Sequence, residues 1–499
     1  MLSKRIIFAV MMVVIMVSSF GLDARAAGTV NIDWVQQDGT SGIDYGRDVV
    51  ADSSGIYVVG EVYGALPGQT YYGGTDAFVR KYDESGNEIW TRQFATNTHD
   101  YGMAIAKDAS GIYVAGFTNG VFPGQTRPGY NNDVFVRKYD LNGNEVWTHQ
   151  FGTTANDQGL AITVDSSGIY VAGQTTGTMP GQTYSGSTDA FVSRFDLYGV
   201  ELWTRQFGST HMDWIDGIAV DSSGVYVAGV TWGGLPGQPP ALSPDGFVRK
   251  YDLNGAETWT YQLDVTDYMD DIVADGSAIY VAGTTPGTLP GQTSSGGYDA
   301  FVRKYDPDGV EIWTRQFGTA NGDLGYRIAL DGSGVYLAGW TNGTFPGLIS
   351  AGGTDTYVRK YDFNGVELWT GQFGTAAYDR AEGIAVHGSG IYVSGYTQGA
   401  FPGFSNLGSY DIFVARLSYN DGNQAPVAHA GGTYSGTEGS AIPLDGSVSS
   451  DPDADTLGYS WSVDSALCAF SDASLVSPSL TCEQDGSFTV SLEVSDGQE

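Results

Sequence analysis

An all-β fold is predicted by three observations. Short runs rich in β-branched and aromatic residues alternate with clusters of Gly, Asp, Asn and Ser, the pattern of strands separated by turns. No segment carries the 3.6-residue period of a long amphipathic helix. Landmark strings recur at a nearly fixed interval through most of the 499 residues. Trp stands at 34, 90, 147, 203, 259, 313 and 369, at spacings of 54 to 57 residues. Strings like "IYVAG" begin at Ile56, Ile112, Ile169, Val225, Ile279, Val335 and Ile391. Strings like "DAFVRKYD" begin at Asp76, Asp133, Asp189, Asp245, Asp299, Asp355 and Asp411.

Each repeat holds four strand candidates, seen in "GLAITVD" (159–165), "IYVAGQT" (169–175), "DAFVSRFD" (189–196) and "VELWTRQFG" (200–208). The first pair is joined by Asp-Ser-Ser-Gly and the last pair by Asp-Leu-Tyr-Gly. These are tight hairpin turns, in which Gly supplies positive φ and Asp bonds nearby backbone. A longer loop, "GTMPGQTYSGST", joins the second strand to the third. Four short antiparallel strands per unit, at this period, fit one blade of a β-propeller. A β-helix would need much shorter coils.

The strand count then predicts how the ring closes. First, second and third strands each occur seven times, ending with "DIFVARLS" (411–418), after which no Trp strand follows. The missing fourth strand is the one around Trp34 at the other end of the chain. It is expected to complete the seventh blade, because an open ring would leave a row of unpaired backbone groups.

The run "DVFVRKYDLNGNEVWTHQFGTTANDQGLAITVDSSGIYVAGQT" (133–175) resembles the SBBP repeat, a seven-bladed bacterial β-propeller family, and the likeness extends over roughly Val30 to Tyr419. "KYDLNGNEVW" is also similar to the Trp-docking turn of quinoprotein-type propellers. That likeness implies that each Trp packs against the neighbouring blade. It is confined to a structural turn and implies no quinone cofactor. Beyond the linker "SYNDGNQAP" (418–426), "APVAHAGG", "GSVSSDPDADTLGYSW" and "VSDG" resemble a PKD-type β-sandwich. Alternation in "GSFTVSLEV" independently marks a half-buried strand. The family pattern continues past "VSDG", so the likeness implies a module cut short at Glu499. The expected organisation is a leader over 1–26, a propeller over 27–419, a linker over 420–426 and a PKD-like sandwich over 427–499.

Lys4 and Arg5, the apolar run from Ile6 to Phe20 and Ala24-Arg25-Ala26 read as a secretory signal cut after Ala26. The expected location is therefore secreted or at the cell surface. The formal net charge is −34; loss of Lys4, Arg5, Arg25 and Asp23 with the leader takes it to −36. Such acidity excludes nucleic acid as a partner and admits cations or neutral ligands such as glycans. Cys468 and Cys482 are the only cysteines, and in an exported chain they are expected to form a disulfide. With His429 the only His beyond Gly390, no zinc cluster is expected there.

In a propeller, the second-to-third loops and the blade connections share one face, the longer-looped one on which binding is expected. Two acidic sets fall there. Asp44, Asp100, Asp157, Asp213, Asp267, Asp323 and Asp379 precede the inner strands, and could ring the channel mouth. Asp76 and its six counterparts precede the third strands. Together they would hold hard cations, or simply fix loops through backbone N–H groups. The repeated Pro-Gly pairs from Pro67 to Pro402 predict type II turns. Tyr71, Tyr72, Tyr130, Tyr184, Trp232, Tyr298 and Trp340 lie on or near the long loops, to stack on sugar rings or to pack blade edges. The ligand site is accordingly sought at the first acidic set with Trp232 and Trp340.

No catalytic residue is named. The five His residues share no position, and no Gly-x-Ser-x-Gly elbow or His-Glu-x-x-His helix is present. In the C-terminal module, Asp451, Asp453 and Asp455, with Glu438 and Asp496, form either a calcium loop or an acidic turn. The leading reading is a monomeric propeller on a spacer, a binding or adhesion scaffold for an extracellular glycan or protein. The alternatives are a polysaccharide-active enzyme using carboxylates on the long-loop face and a structural surface-layer component.

Overall fold

The computed structural model describes residues 6–7, 29–127, 129–240, 244–420, 426–452 and 456–496. The chain divides into two compact units, Val30–Tyr419 and one containing Asn420–Glu499.

The first unit is a β-propeller of seven four-stranded antiparallel sheets. Blade 3 is representative: Asp157–Asp165, Gly168–Thr175, Asp189–Phe195 and Glu201–Phe207, hydrogen-bonded in that order. The first strands form the inner circle. Each touches the next, and Asp379–His387 of blade 7 touches Tyr45–Asp52 of blade 1. The second strands are the most buried; every residue of Gly111–Thr118 is inside. This explains the near-continuous apolar "IYVAG" string, since a strand covered on both faces has no reason to alternate. The core lies between blades rather than within them. Tyr57, Val59, Trp90 and Phe94 of blade 1, for example, pack with Ile105, Phe122, Phe135 and Tyr139 of blade 2.

The ring closes as the strand count predicts. Thr29–Asp38 lies beside Asp411–Asn420 as the outer strand of blade 7. Gln37 Nε2 donates to Asp411 Oδ2 at 2.8 Å, and Phe401 N donates to Gln37 Oε1 at 2.8 Å. Asp33 accepts from Arg416 Nη1 at 2.7 Å and Ser418 Oγ at 2.6 Å.

Each Trp docks on its neighbour. Trp90 Nε1 donates to Leu141 O of blade 2 at 3.3 Å, and the indole lies flat against Gly143, whose φ is 79°. A Cβ on Gly143 would come within 2.9 Å of that ring, so glycine is required by both conformation and contact. The same pairing joins Trp34 to Gly86, Trp147 to Gly199, Trp203 to Gly255, Trp259 to Gly309 and Trp313 to Gly365. Blade 7 has no such turn, because its outer strand comes from the opposite end of the chain. There Tyr419 stacks on Trp369 instead, with ring centroids 5.0 Å apart and planes at 16°.

In the C-terminal unit, Ile442–Pro443, Ser479–Cys482 and Cys468–Phe470 form one sheet, and Gly458–Val463 pairs with Val490–Ser495. Ile442, Leu444, Trp461, Leu480 and Val490 are its buried core. The expected disulfide is present, with Cys468 directly opposite Cys482 on adjacent strands. It closes a short loop at a sequence separation of 14. Chain entropy alone makes such a bridge worth up to about 3 kcal/mol. Reduction is expected to lower the thermal transition of this unit and leave that of the propeller in place. A calorimetric trace of the full chain unchanged by reductant would contradict this.

Candidate functional site

The repeated acids belong to the scaffold. Asp44, Asp100, Asp157, Asp213, Asp267, Asp323 and Asp379 were expected to ring the channel mouth, but all are 0 % exposed. Apart from Asp267, each accepts loop N–H or hydroxyl groups. Thr96 N and Oγ1 donate to Asp100 Oδ2 at 2.7 and 2.9 Å, and Ser209 N donates to Asp213 Oδ2 at 2.6 Å. Burial pushes all seven carboxyls up from the ordinary range, Asp267 to about 6. The correction has a simple cause. A residue present in every blade does a job that every blade needs, here pinning the connection to the next blade.

The second acidic set is held by a residue that the sequence reading passed over. Gln93, Gln150, Gln206, Gln262, Gln316 and Gln372 stand three residues after each Trp, as Gln37 does after Trp34. Every Nε2 donates to the Asp before its blade's third strand, at 2.7–3.0 Å. Every Oε1 accepts a backbone N–H from the long loop, from Leu66, Phe122, Met179, Leu235, Leu289, Phe345 or Phe401. The following Pro-Gly turns adopt the expected type II form, with Gly68 at φ 71° and Gln69 N bonded to Leu66 O. One amide thus fastens the outer strand to the long loop and the third strand together. The two acidic sets also meet at blade junctions. A methyl group on Gly208 would lie 2.7 Å from Asp189 Oδ1 and 2.8 Å from Asp213 Oδ2.

With the base of each long loop fixed, the loop tips are free to differ. Tyr71 and Tyr72, Tyr130, Trp232, Tyr298, Ile349 and Leu407 project there as exposed large side chains, from blades 1, 2, 4, 5, 6 and 7. Trp232 is 40 % exposed and Tyr130 93 %. Tyr184 supplies the equivalent, half-buried group in blade 3. Trp340 is placed differently: it lies on the second strand of blade 6, Gly334–Thr341, 6.2 Å from Tyr378 and 5.7 Å from the Arg380 guanidinium.

The inner strands carry a second departure from the repeat. Each has a bulge in its ladder, at Arg47, Met103, Leu160, Asp216, Asp270, Tyr326 and Glu382. The next residues are Asp48, Ala104, Ala161, Gly217, Asp271, Arg327 and Gly383. Blades 2 and 3 are therefore uncharged at this level, whereas blades 4 to 7 and blade 1 crowd charges around the axis.

Three of the five residues of the calcium expectation, Glu438, Asp451 and Asp496, are described. Asp453 and Asp455 lie outside the described residues. Glu438 is in the turn beside Cys482, where Gly439 N bonds Cys482 O, and Asp496 follows the strand paired with Gly458. Among the described residues no group of three or more His, Cys, Asp or Glu side chains is placed to hold a metal ion, Asp451 included. No described helix is long and apolar enough to cross a membrane.

The β-propeller repeat family SBBP matches residues 202–236 and 312–346, and the PKD domain family matches 423–499. The chain is thus a β-propeller of SBBP repeats followed by a PKD domain, an architecture of interaction and surface scaffolds. It is 24 % identical over 444 residues to the regulatory protein FlaEY of Caulobacter vibrioides, covering 78 % of this chain and 45 % of that protein. It is 21 % identical over 406 residues to the uncharacterized WD repeat-containing protein L264 of Acanthamoeba polyphaga mimivirus, covering 69 % and 28 %. The chain therefore spans less than half the length of either relative. Among solved structures, the WD40 β-propeller domain of Doa1 superposes with a TM-score of 0.46 at 11 % identity, over 78 % of this chain and 97 % of that one.

Proposed function

We propose that the protein is an exported surface scaffold that binds a glycan on the long-loop face of its propeller. The observation that carries this reading is the crown of large side chains at the loop tips, dominated by Tyr and Trp. Flat aromatic faces on polar, Gly-rich loops suit the apolar faces of sugar rings, and the rigid Gln–Asp clamps beneath hold the crown in place without an ordering cost on binding. The leader-like N-terminus and the disulfide support an extracellular setting.

The polysaccharide-active alternative gains nothing from the structure, because the repeated carboxylates of this face are buried in loop hydrogen bonds. The surface-layer alternative predicts no glycan binding. A glycan array probed with the full chain separates them. Trp232→Ala and Tyr298→Ala are each expected to weaken binding about tenfold, the loss of one stacked ring, or about 1.4 kcal/mol. An array with no bound glycan, or binding indifferent to both substitutions, would remove the proposal.

A further inference from the structure

The charged residues at the bulges meet across the propeller axis. Arg47 Nη2 donates to Glu61 Oε1 at 2.5 Å within blade 1, and its Nη1 lies 3.7 Å from Glu382 Oε2 of blade 7. Arg380 Nε lies 2.6 Å from Glu382 Oε1, and the Arg380 guanidinium rests 4.0 Å above the Tyr326 ring of blade 6. These contacts pair two carboxylates with two arginines. What remains is Arg327 of blade 6, facing Asp271 of blade 5, Glu382, Asp48 of blade 1 and Asp216 of blade 4. Asp270 belongs to the same group: Arg327 Nη1 is 3.4 Å from its carbonyl oxygen, and its carboxyl interacts with Asp216 and Arg327.

The carboxylates are anchored across blade boundaries. Asp48 Oδ2 accepts Ile105 N of blade 2 at 3.0 Å, and Asp271 Oδ2 accepts Ile328 N of blade 6 at 3.0 Å. Trp214 Nε1 donates to Asp216 Oδ2 at 2.7 Å. Blades 2 and 3 bring only Met103, Ala104, Leu160 and Ala161 to this level, and Lys107 further along blade 2 is paired with Asp52. Six carboxylates, counting Glu61 and Glu382, thus face three arginines, Arg47, Arg327 and Arg380, the last of which also acts on Asp270. Like charges that share one buried site disfavour one another's ionisation.

We propose that this axial cluster is a proton-operated clamp, in which proton uptake by its aspartates relieves their mutual repulsion across the inner circle of strands. Burial acts in the same direction. It raises the Asp48 and Asp216 carboxyls to about 7, against the pull of Arg327, and raises Asp270 well above the ordinary range with the help of Asp216. Burial works against the charge of Arg327 itself, but the surrounding carboxylates more than offset it. Between the ordinary aspartate value of 3.8 and about 7, the folded chain therefore holds protons that the unfolded chain releases. Stability contributed by these groups is present at the acidic end of that window and is lost as pH rises through it.

The test is thermal melting of the full chain between pH 8 and pH 5, with infrared detection of protonated carboxyl groups. The wild-type melting temperature is expected to rise by roughly 5 °C on acidification. Because the buried loop-pinning aspartates titrate in the same sense, assignment rests on the variants. In the Asp48→Asn, Asp216→Asn double variant the amide oxygens still accept Ile105 N–H and Trp214 Nε1–H, while the Val49 N–H that bonds the other Asp48 oxygen loses its acceptor. This variant is expected to melt higher than wild type at pH 8, to show a flatter pH dependence, and to lose part of the protonated-carboxyl band at pH 7. If the pair does not fold, D216N alone gives the same reading at smaller amplitude. A wild-type melting temperature that falls on acidification, or variants with the wild-type slope and an undiminished band, would overturn the proposal.

Discussion

Removal of residues 29–38 is expected to destabilise the propeller at its far end, in blade 7. The lost strand supplies Trp34, whose indole bonds Glu84 O of blade 1 at 3.0 Å, and Gln37, the seventh clamp. Without Gln37, the Phe401 N–H loses its acceptor, at about 1–3 kcal/mol, and the buried Asp411 carboxylate keeps only Leu407 N–H and Gly408 N–H as donors. Together with the vacated indole, the deficit is on the order of 5 kcal/mol. Denaturant unfolding of the deletion variant beside the intact chain measures it. Equal midpoints would mean that the ring does not depend on this strand.

Trp313→Ala is expected to be the most damaging single substitution on an outer strand. Trp313 is almost fully buried, donates to Phe363 O at 3.2 Å, and is packed by Gly365, Tyr280, Tyr361 and the Arg315 guanidinium. Truncating it opens the joint between blades 5 and 6 and costs about 3–5 kcal/mol. Val310→Ser is the control. Val310 lies three residues away in sequence but is 61 % exposed, and its replacement is expected to stay within about 0.5 kcal/mol. A similar small loss for both would show that the docked indole does not hold neighbouring blades together.

Most of the fold could be read from the chain because it is written seven times. Repetition turned weak local signals into a strand count, and the count placed Trp34 in the last blade. The same repetition left the role of the site residues open. Asp100 and its counterparts could be read as a ring of ligands or as loop-fixing groups, and their burial and loop hydrogen bonds favour the second. Gln93 and its counterparts were equally regular and carried no alarm, because an amide beside a Trp on a strand looks like an ordinary surface residue. The axial group was hidden for the opposite reason. Asp48, Asp216, Asp270 and Arg327 sit at two adjacent repeat positions that vary from blade to blade, through Ala, Gly, Met, Leu, Tyr, Arg and Glu. Comparing each repeat with its siblings at the bulge would have exposed them. Their convergence would not have been evident, because it depends on the ring bringing blades 4 and 1 to one axis.

The shared seventh blade also sets the order in which the molecule can be finished. Gln37 and Asp411 are 374 residues apart in the chain, so their contact belongs to the slowest class of loop closures. The N-terminal strand must wait, unpaired, while six blades are made, and it finds its place only once Asp411–Asn420 exists. A chain interrupted before that point can build blades but cannot lock them. The fold therefore carries its own completeness check: the final joint forms only between the first and last strands of one uninterrupted polypeptide.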